Sequence, residues 1–370
     1  MSNQIPKLVL TGGPCGGKTT ALQYLKEKLK DYGFTIFIIP EIPTEFILNG
    51  ITPGANGFTV NQFQEFLFDE VLRREALYMK MAYASQTERK ILICDRGLLD
   101  ILAYSDAKLF EFWLDKRGLS LIKARDERYD AIFHLVTAAL GAENFYTTEN
   151  NRARSEKTLE EAREKDVRIL EAWNGHPHLH VVDNSTDFEG KMRRLLKKIC
   201  HALGVPVPLE IERKFLIHPP ELKHFRVPTQ VIIIEQAYLV SADSTVERRV
   251  RKREQSGSAM FLETIKQGIR SGVRAEKEWP ISETRYLSAI AYEQAMDSVI
   301  IRKNRLCFPY EHQYFEMDCF LEPYKNLWLL EIELTEEQQE IKLPPFIRII
   351  KEVTGDPMFS NRELAKKPFK

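Results

Sequence analysis

The sequence predicts two folds in series: an α/β parallel sheet with helices on both faces, then an α+β unit of antiparallel strands. Three observations predict this. The 370 residues exceed one usual domain of about 100–200 residues. Through about residue 203, short apolar runs alternate with longer amphipathic ones; from Leu209 the runs alternate residue by residue and helices become the exception. Between the two textures, Gly204-Val-Pro-Val-Pro208 has the proline and glycine content of a linker. The expected domains are 1–203 and 209–370, with 204–208 between them.

In the first part, residues 8–10, 34–39, 91–94, 131–136 and 180–182 read as buried strands, short apolar runs bounded by polar or turn residues. Residues 18–30, 62–84, 156–173 and 188–203 carry helical periodicity. This alternation argues for a parallel sheet covered on both faces. In the second part, 282–297 and 346–353 are the helix candidates.

Composition narrows the function. Lys+Arg and Asp+Glu are 53 each, with 28 of each sign before Gly204 and 25 of each after it. Neither half is a basic module, so binding to nucleic acid through bulk charge is disfavoured. Cys15, Cys94, Cys200, Cys307 and Cys319 are scattered and never in CxxC spacing, as for reduced thiols. Neither a signal segment nor a membrane-length apolar run is visible. The expectation is a cytoplasmic protein with at most peripheral membrane contact.

Gly12-Gly13-Pro-Cys-Gly16-Gly17-Lys18-Thr19 matches GxxxxGK[ST] between an expected strand and an expected helix. The glycines let backbone N–H groups surround phosphates, Lys18 can reach the outer phosphates, and Thr19 can ligate Mg²⁺. Thr20 follows in the same turn and joins the nucleotide-binding set. The apolar strand ending in Asp95 supplies a carboxylate that would hold the metal directly or through water. Glu41, just after the second strand, is placed to accept a proton from a substrate hydroxyl, or is a loop charge. Arg152 and Arg154, in the polar stretch 147–157, suit a lid over transferring phosphates, or are solvated. The alternating His176, His178 and His180 suggest a metal site only weakly, because Pro177 interrupts the strand.

The phosphate loop, Glu41, the Asp95-Arg-Gly-Leu-Leu-Asp100 box with Tyr104 and the arginine-bearing stretch resemble the AAA-type domain shared by ribosylnicotinamide kinases and the TRPL translocation defect proteins. The resemblance spans about 6–203 and implies a P-loop nucleotide-binding domain of kinase type, with ATP or GTP and Mg²⁺ as cofactors.

Beyond the linker, Glu210, Glu212 and Lys214 form an ExExK strand whose charges share one face. The pattern returns in Arg249/Arg251, Thr264/Lys266, Glu276/Glu278, Lys303/Arg305, Glu316/Asp318 and Glu331/Glu333. Like charges gathered on one sheet face repel unless acids stand opposite bases or an anion and its metal intervene. In this order the motifs resemble the CYTH superfamily of triphosphate tunnel metalloenzymes over about 208–366. The resemblance implies an eight-stranded antiparallel tunnel. Glu210, Glu212, Asp318, Glu331 and Glu333 would hold Mg²⁺ or Mn²⁺. Lys214, Arg249, Arg251, Lys266, Lys303 and Arg305 would bind the triphosphate.

Two functions follow from these resemblances. One is a Mg²⁺-dependent, kinase-like nucleoside triphosphate-binding domain coupled to a tunnel that binds or hydrolyses a triphosphate. The other, by similarity to the TRPL translocation defect proteins, is a GTP-binding trafficking regulator that holds a phosphoinositide head group and has no metabolic kinase activity.

Overall fold

The structure is a computed structural model, described here for residues 5–366 apart from 56, 147–155, 157, 206, 209–210, 222–224, 244–245, 271–272 and 335–338; for 207, 208, 211, 267–270 and 273–276 the backbone alone is described. The chain divides into two compact units, Met1–Leu196 and Lys197–Lys370.

The first unit is built on β1 (Lys7–Gly12), β2 (Phe34–Ile39), β3 (Arg89–Asp95), β4 (Ala131–Leu135) and β5 (Leu179–Val182). They pair in the order β2-β3-β1-β4-β5, every pair parallel. Val9, Ile93 and Phe133 on the inner strands are at most 1% exposed, as a sheet covered on both faces requires. The cover comes from α1 (Lys18–Lys28), α2 (Ile42–Leu48), α3 (Val60–Ala84), α4 (Ala107–Lys116), α5 (Leu121–Arg125), α6 (Leu159–Ala172) and α7 (Phe188–Ala202). α3 opens with a capping box between Thr59 and Gln62, which satisfies two end groups of the helix at once. β1 lies between β3 and β4, so the chain order reverses there. The crevice at the C-terminal ends of these strands is where such sheets bind ligands.

The second unit carries one large antiparallel sheet. Its strands are β6 (Val207–Pro208), β7 (Ile211–Ile217), β8 (Gln230–Leu239), β9 (Val246–Gln255), β10 (Ser258–Arg270), β11 (Val273–Ile281), β12 (Ile301–Tyr310), β13 (Gln313–Glu322), β14 (Trp328–Leu334) and β15 (Ile349–Glu352). The order is β15-β7-β14-β13-β12-β8-β9-β10-β11-β6. Eight long strands are thus flanked by two short ones. β6 pairs with β11 while β7, its successor in the chain, pairs with β14. Phe215, Phe308, Phe315, Met317, Leu330 and Ile332 form an apolar cluster on one face. The strict alternation of the strands sends Lys214, Lys303, Arg305, Asp318 and Glu331 to the other. α8 (Glu283–Glu293) buries Tyr286 and Ala289 against Ala237, Leu239 and Val250. The short helix α9 (Asn361–Leu364) follows β15.

One expectation is corrected. Residues 346–353 do not form a helix: Ile349–Glu352 is β15, paired with β7. Phe346, Ile347 and Ile349 pack with the apolar cluster, and the isoleucine-rich run suits a pleated edge better than a helix. Pairing also satisfies the open side of β7, which a helix would leave without hydrogen bonds.

Candidate functional site

In the first unit the loop after β1 turns back towards the sheet. Gly12 has φ +134°, and a Cβ there would stand 2.0 Å from the carbonyl oxygen of Leu135 on β4, so only glycine fits. Gly17, with φ +89°, precedes α1 as its cap. The first turn of α1 contains no acidic side chain, so its positive end remains available to an anion. Lys18 Nζ donates to the carbonyls of Gly12 and Gly13 at 3.2 and 3.3 Å. Burial, and then the charge of Arg96, lower its pKa from the ordinary lysine value. From below, the buried Asp166 of α6 accepts from the Gly13 N–H at 2.7 Å and the Thr137 N–H at 3.0 Å. Thr137 donates in turn to the Pro14 carbonyl. Thr19 and Thr20 are exposed at the start of α1 and line the same cavity.

Asp95 ends β3 beside this loop. Its Oδ1 is buried without a hydrogen-bond partner, and burial pushes its carboxyl up to about 6, opposed by the Lys18 charge. A desolvated, unanswered carboxylate oxygen next to a phosphate loop fits a divalent cation. Glu41 is differently placed. Burial alone would raise its carboxyl, but Arg96 and Lys18 overcome this and hold it at about 2. Arg96 Nε donates to Glu41 at 2.5 Å, and Thr44 Oγ1 donates at 2.8 Å. Asp100 accepts from Thr11 and from the Gly97 N–H.

These groups open into one cavity of about 1610 Å³. One end is polar, with Lys18, Thr19, Asp95 and Arg96; the other is lined by Ile42, Ile47, Leu48, Phe63, Leu67 and Val71. A third part carries Asn184, Asp187, Phe188 and Lys191 from the segment after β5. Lys191, 3% exposed, donates to Val136 O at 2.8 Å and Asn184 Oδ1 at 2.7 Å. Burial pulls its pKa down to about 7.

In the second unit the expected charges meet across strands. Arg305 stands opposite Asp318, and Glu331 stands between Glu316 and Lys214 in the register. Arg305 donates to Asp318 at 2.7 Å and Glu331 at 3.1 Å, and also pairs with Glu316. Lys303 pairs with Asp318 at 2.5 Å, and Lys214 with Glu331 at 2.8 Å and Glu212 at 3.3 Å. Burial would raise the Asp318 carboxyl, but Arg305 and Lys303 hold it well below its ordinary value. Arg249 and Arg251 approach Glu278 to 3.9 and 3.8 Å, and Arg251 Nε also donates to Gln236 Oε1 at 3.3 Å. Burial, followed by the charge of Arg249, lowers Arg251 to about 10. Lys266 lies opposite Glu247 and Glu276 in the register. Glu212 faces Glu333 directly. Two cross-strand carboxylates fit a shared cation, whereas Asp318, enclosed by two bases, is a partner of those bases. Among the described residues no group of three or more His, Cys, Asp or Glu gathers as a metal site.

Arg152, Arg154 and Glu210 lie outside the described residues. The three histidines diverge. His176 meets the Tyr129 carbonyl at 3.0 Å, its Nδ1 accepts from the His178 N–H, and His180 stacks on Phe133. The sequence reading did not assign Arg96, Asp166, Lys191 or Gln64. Arg96 lies within the Asp95–Asp100 box, and Gln64 interrupts the apolar stripe of α3, a signal available in the sequence.

A family model described as an AAA domain matches residues 7–191, half of the chain. An inorganic triphosphatase from Acetivibrio thermocellus is 31% identical over 161 residues, 44% of this chain and 96% of its own. One from Nitrosomonas europaea is 28% identical over 167 residues, 42% of this chain and 96% of its own. A crystal structure of an inorganic triphosphatase aligns at 26% identity over 44% of this chain and 99% of that one, with a TM-score of 0.34. No helix among the described residues is long and apolar enough to cross a membrane.

Proposed function

The chain belongs to the AAA domain family through residues 7–191 and to the family of the Acetivibrio inorganic triphosphatase through the 161 residues they share; from that premise we propose two phosphate chemistries in one protein. The second unit binds a triphosphate within a tunnel of CYTH type and hydrolyses it. The first is a kinase-like P-loop site for ATP or GTP with Mg²⁺.

The observation that carries the reading is the buried charged face of the second unit, where Lys303 is 2% and Asp318 0% exposed. Charges so deeply desolvated stabilise a fold poorly by themselves, and a row of bases with acids opposite suits a polyanion and its cation. In this reading Lys214, Arg249, Arg251, Lys266, Lys303 and Arg305 neutralise the phosphates, Glu331 orients Lys214 and Arg305, and Glu212 and Glu333, with Glu210, would hold the metal. A cation held by these carboxylates would supply Lewis-acid polarisation of a phosphoryl oxygen and a more acidic water. In the first unit, the loop amides and Lys18 cradle the nucleotide, and Thr19 and Asp95 hold Mg²⁺. Glu41 stays ionised as an acceptor for the attacking hydroxyl, with Arg96 fixed beside it. Arg152 and Arg154 would close over the phosphates.

The test is full-length protein with Mg²⁺ or Mn²⁺ and, separately, tripolyphosphate, ATP, GTP and a phosphoinositide head group, scoring binding and phosphate release. Release from tripolyphosphate that fails on Glu331→Gln supports the hydrolase. Head-group binding with no release from any substrate would support the GTP-binding trafficking reading in its place.

A further inference from the structure

We propose that the apolar end of the cavity in the first unit is a second ligand subsite. Its occupant is a neutral molecule whose apolar body carries an edge of adjacent N–H and C=O groups, and Gln64 reads that edge. The proposal rests on the nucleotide reading only for what fills the polar end.

α3 turns Phe63, Gln64, Leu67 and Val71 to the cavity, the three- and four-residue spacing of one helical face. Within that stripe Gln64 is polar, as is Glu75 one turn past Val71. Gln64 is 6% exposed, and its Oε1 is buried without a hydrogen-bond partner. Buried polar side chains are hydrogen-bonded with few exceptions, and an exception calls for a missing partner. A carboxamide presents a donor and an acceptor side by side, so its natural complement is a second amide-like edge.

The neighbouring groups set the charge of the occupant. Glu75, also on the cavity wall, already accepts from Lys7 and Arg128 at 2.8 Å and from Tyr129 at 2.6 Å. At the junction with the polar end, Glu41 and Arg96 neutralise one another at 2.5 Å. Ile42, Ile47 and Leu48 of α2 complete an apolar wall, against which a charged ligand would lose its hydration without a counter-charge. There is room as well: the cavity of about 1610 Å³ exceeds the roughly 300–1,000 Å³ usual for a single ligand.

The experiment uses full-length protein saturated with Mg²⁺ and a non-hydrolysable ATP analogue, titrated with α-pyridone, toluene and benzoate by ligand-observed NMR. α-Pyridone carries the amide edge, toluene only the apolar body, and benzoate a charge. The expected result is α-pyridone binding ahead of toluene, with no benzoate binding. Gln64→Leu should weaken α-pyridone roughly tenfold or more while leaving toluene unchanged, as a site built around a hydrogen bond discriminates. Gln64→Glu keeps the shape and loses the donor, so it should show the same loss if the leucine variant does not fold. α-Pyridone affinity that is undetectable in the wild type, or equal in wild type and both variants, overturns the subsite. Nucleotide affinity measured on the same samples separates that outcome from failure of the phosphate-loop reading.

Discussion

Lys18, Asp95, Arg96 and Glu41 show how far one side chain's task depends on its neighbours. Lys18 leans on two loop carbonyls, so Lys18→Ala removes charge from the site without opening the core. Calorimetry should find nucleotide binding lost while the melting temperature holds. Glu41, held ionised at about 2, is a weak base in the ground state. Glu41→Gln should leave nucleotide affinity nearly unchanged and cut phosphoryl transfer by about 10²–10⁴-fold; full transfer activity in that variant would return Glu41 to the role of an anchor for Arg96. Lys191 makes a pH prediction. The unfolded chain keeps this proton up to the ordinary 10.5, whereas burial lowers the folded value to about 7. Between those values the unfolded state binds more protons, so this group's contribution to stability rises with pH from about 7 to 10. Relative to Lys191→Met, the wild type should therefore gain melting temperature across that window, and a pH-independent difference would show that burial does not depress this lysine.

At the scale of elements, the phosphate loop is fixed by what lies beneath it. Gly12→Ala would place a methyl 2.0 Å from the Leu135 carbonyl oxygen, whereas Gly118, at φ +64°, has nothing within 4 Å of the same addition. Gly118→Ala should cost only the left-handed backbone strain of about 1–2 kcal/mol. Thermal unfolding of Gly12→Ala should show a larger loss, together with loss of nucleotide binding. The five parallel strands were legible because each is a short apolar run, and four long helices because their periodicity is sustained. α2, α4, the 3-10 turn Leu98–Tyr104 and the five-residue α5 were not, since a segment of fewer than three turns carries too little pattern. β15 misled for a different reason. Ile347, Ile349, Ile350 and Val353 fit either a helical or a pleated face, and only the open side of β7 decides between them. The Gln64 subsite lay in the sequence as a break in a stripe, but its missing partner is visible only in three dimensions.

For the whole molecule, alternation in the sequence places the charges of the second unit on one face but leaves their partners undecided. Nothing in the spacing says that Glu331 meets Lys214, more than a hundred residues away, and Arg305 on a third strand; register across β12, β13, β14 and β7 decides it. That register leads to the last prediction. If the bases and acids of this face hold a triphosphate and its cation as proposed, metal and triphosphate together bind the folded state far better than the unfolded chain. Ligand at a hundredfold its Kd then adds about 2.7 kcal/mol of stability, a rise that calorimetry of the full-length protein with Mg²⁺ and tripolyphosphate should record. Arg251→Ala should abolish most of the rise, because the base it removes meets the anion. Lys18→Ala should leave it intact, because Lys18 belongs to the other unit and the other phosphate site. A rise that survives Arg251→Ala and disappears with Lys18→Ala would move tripolyphosphate out of the second unit and into the phosphate loop.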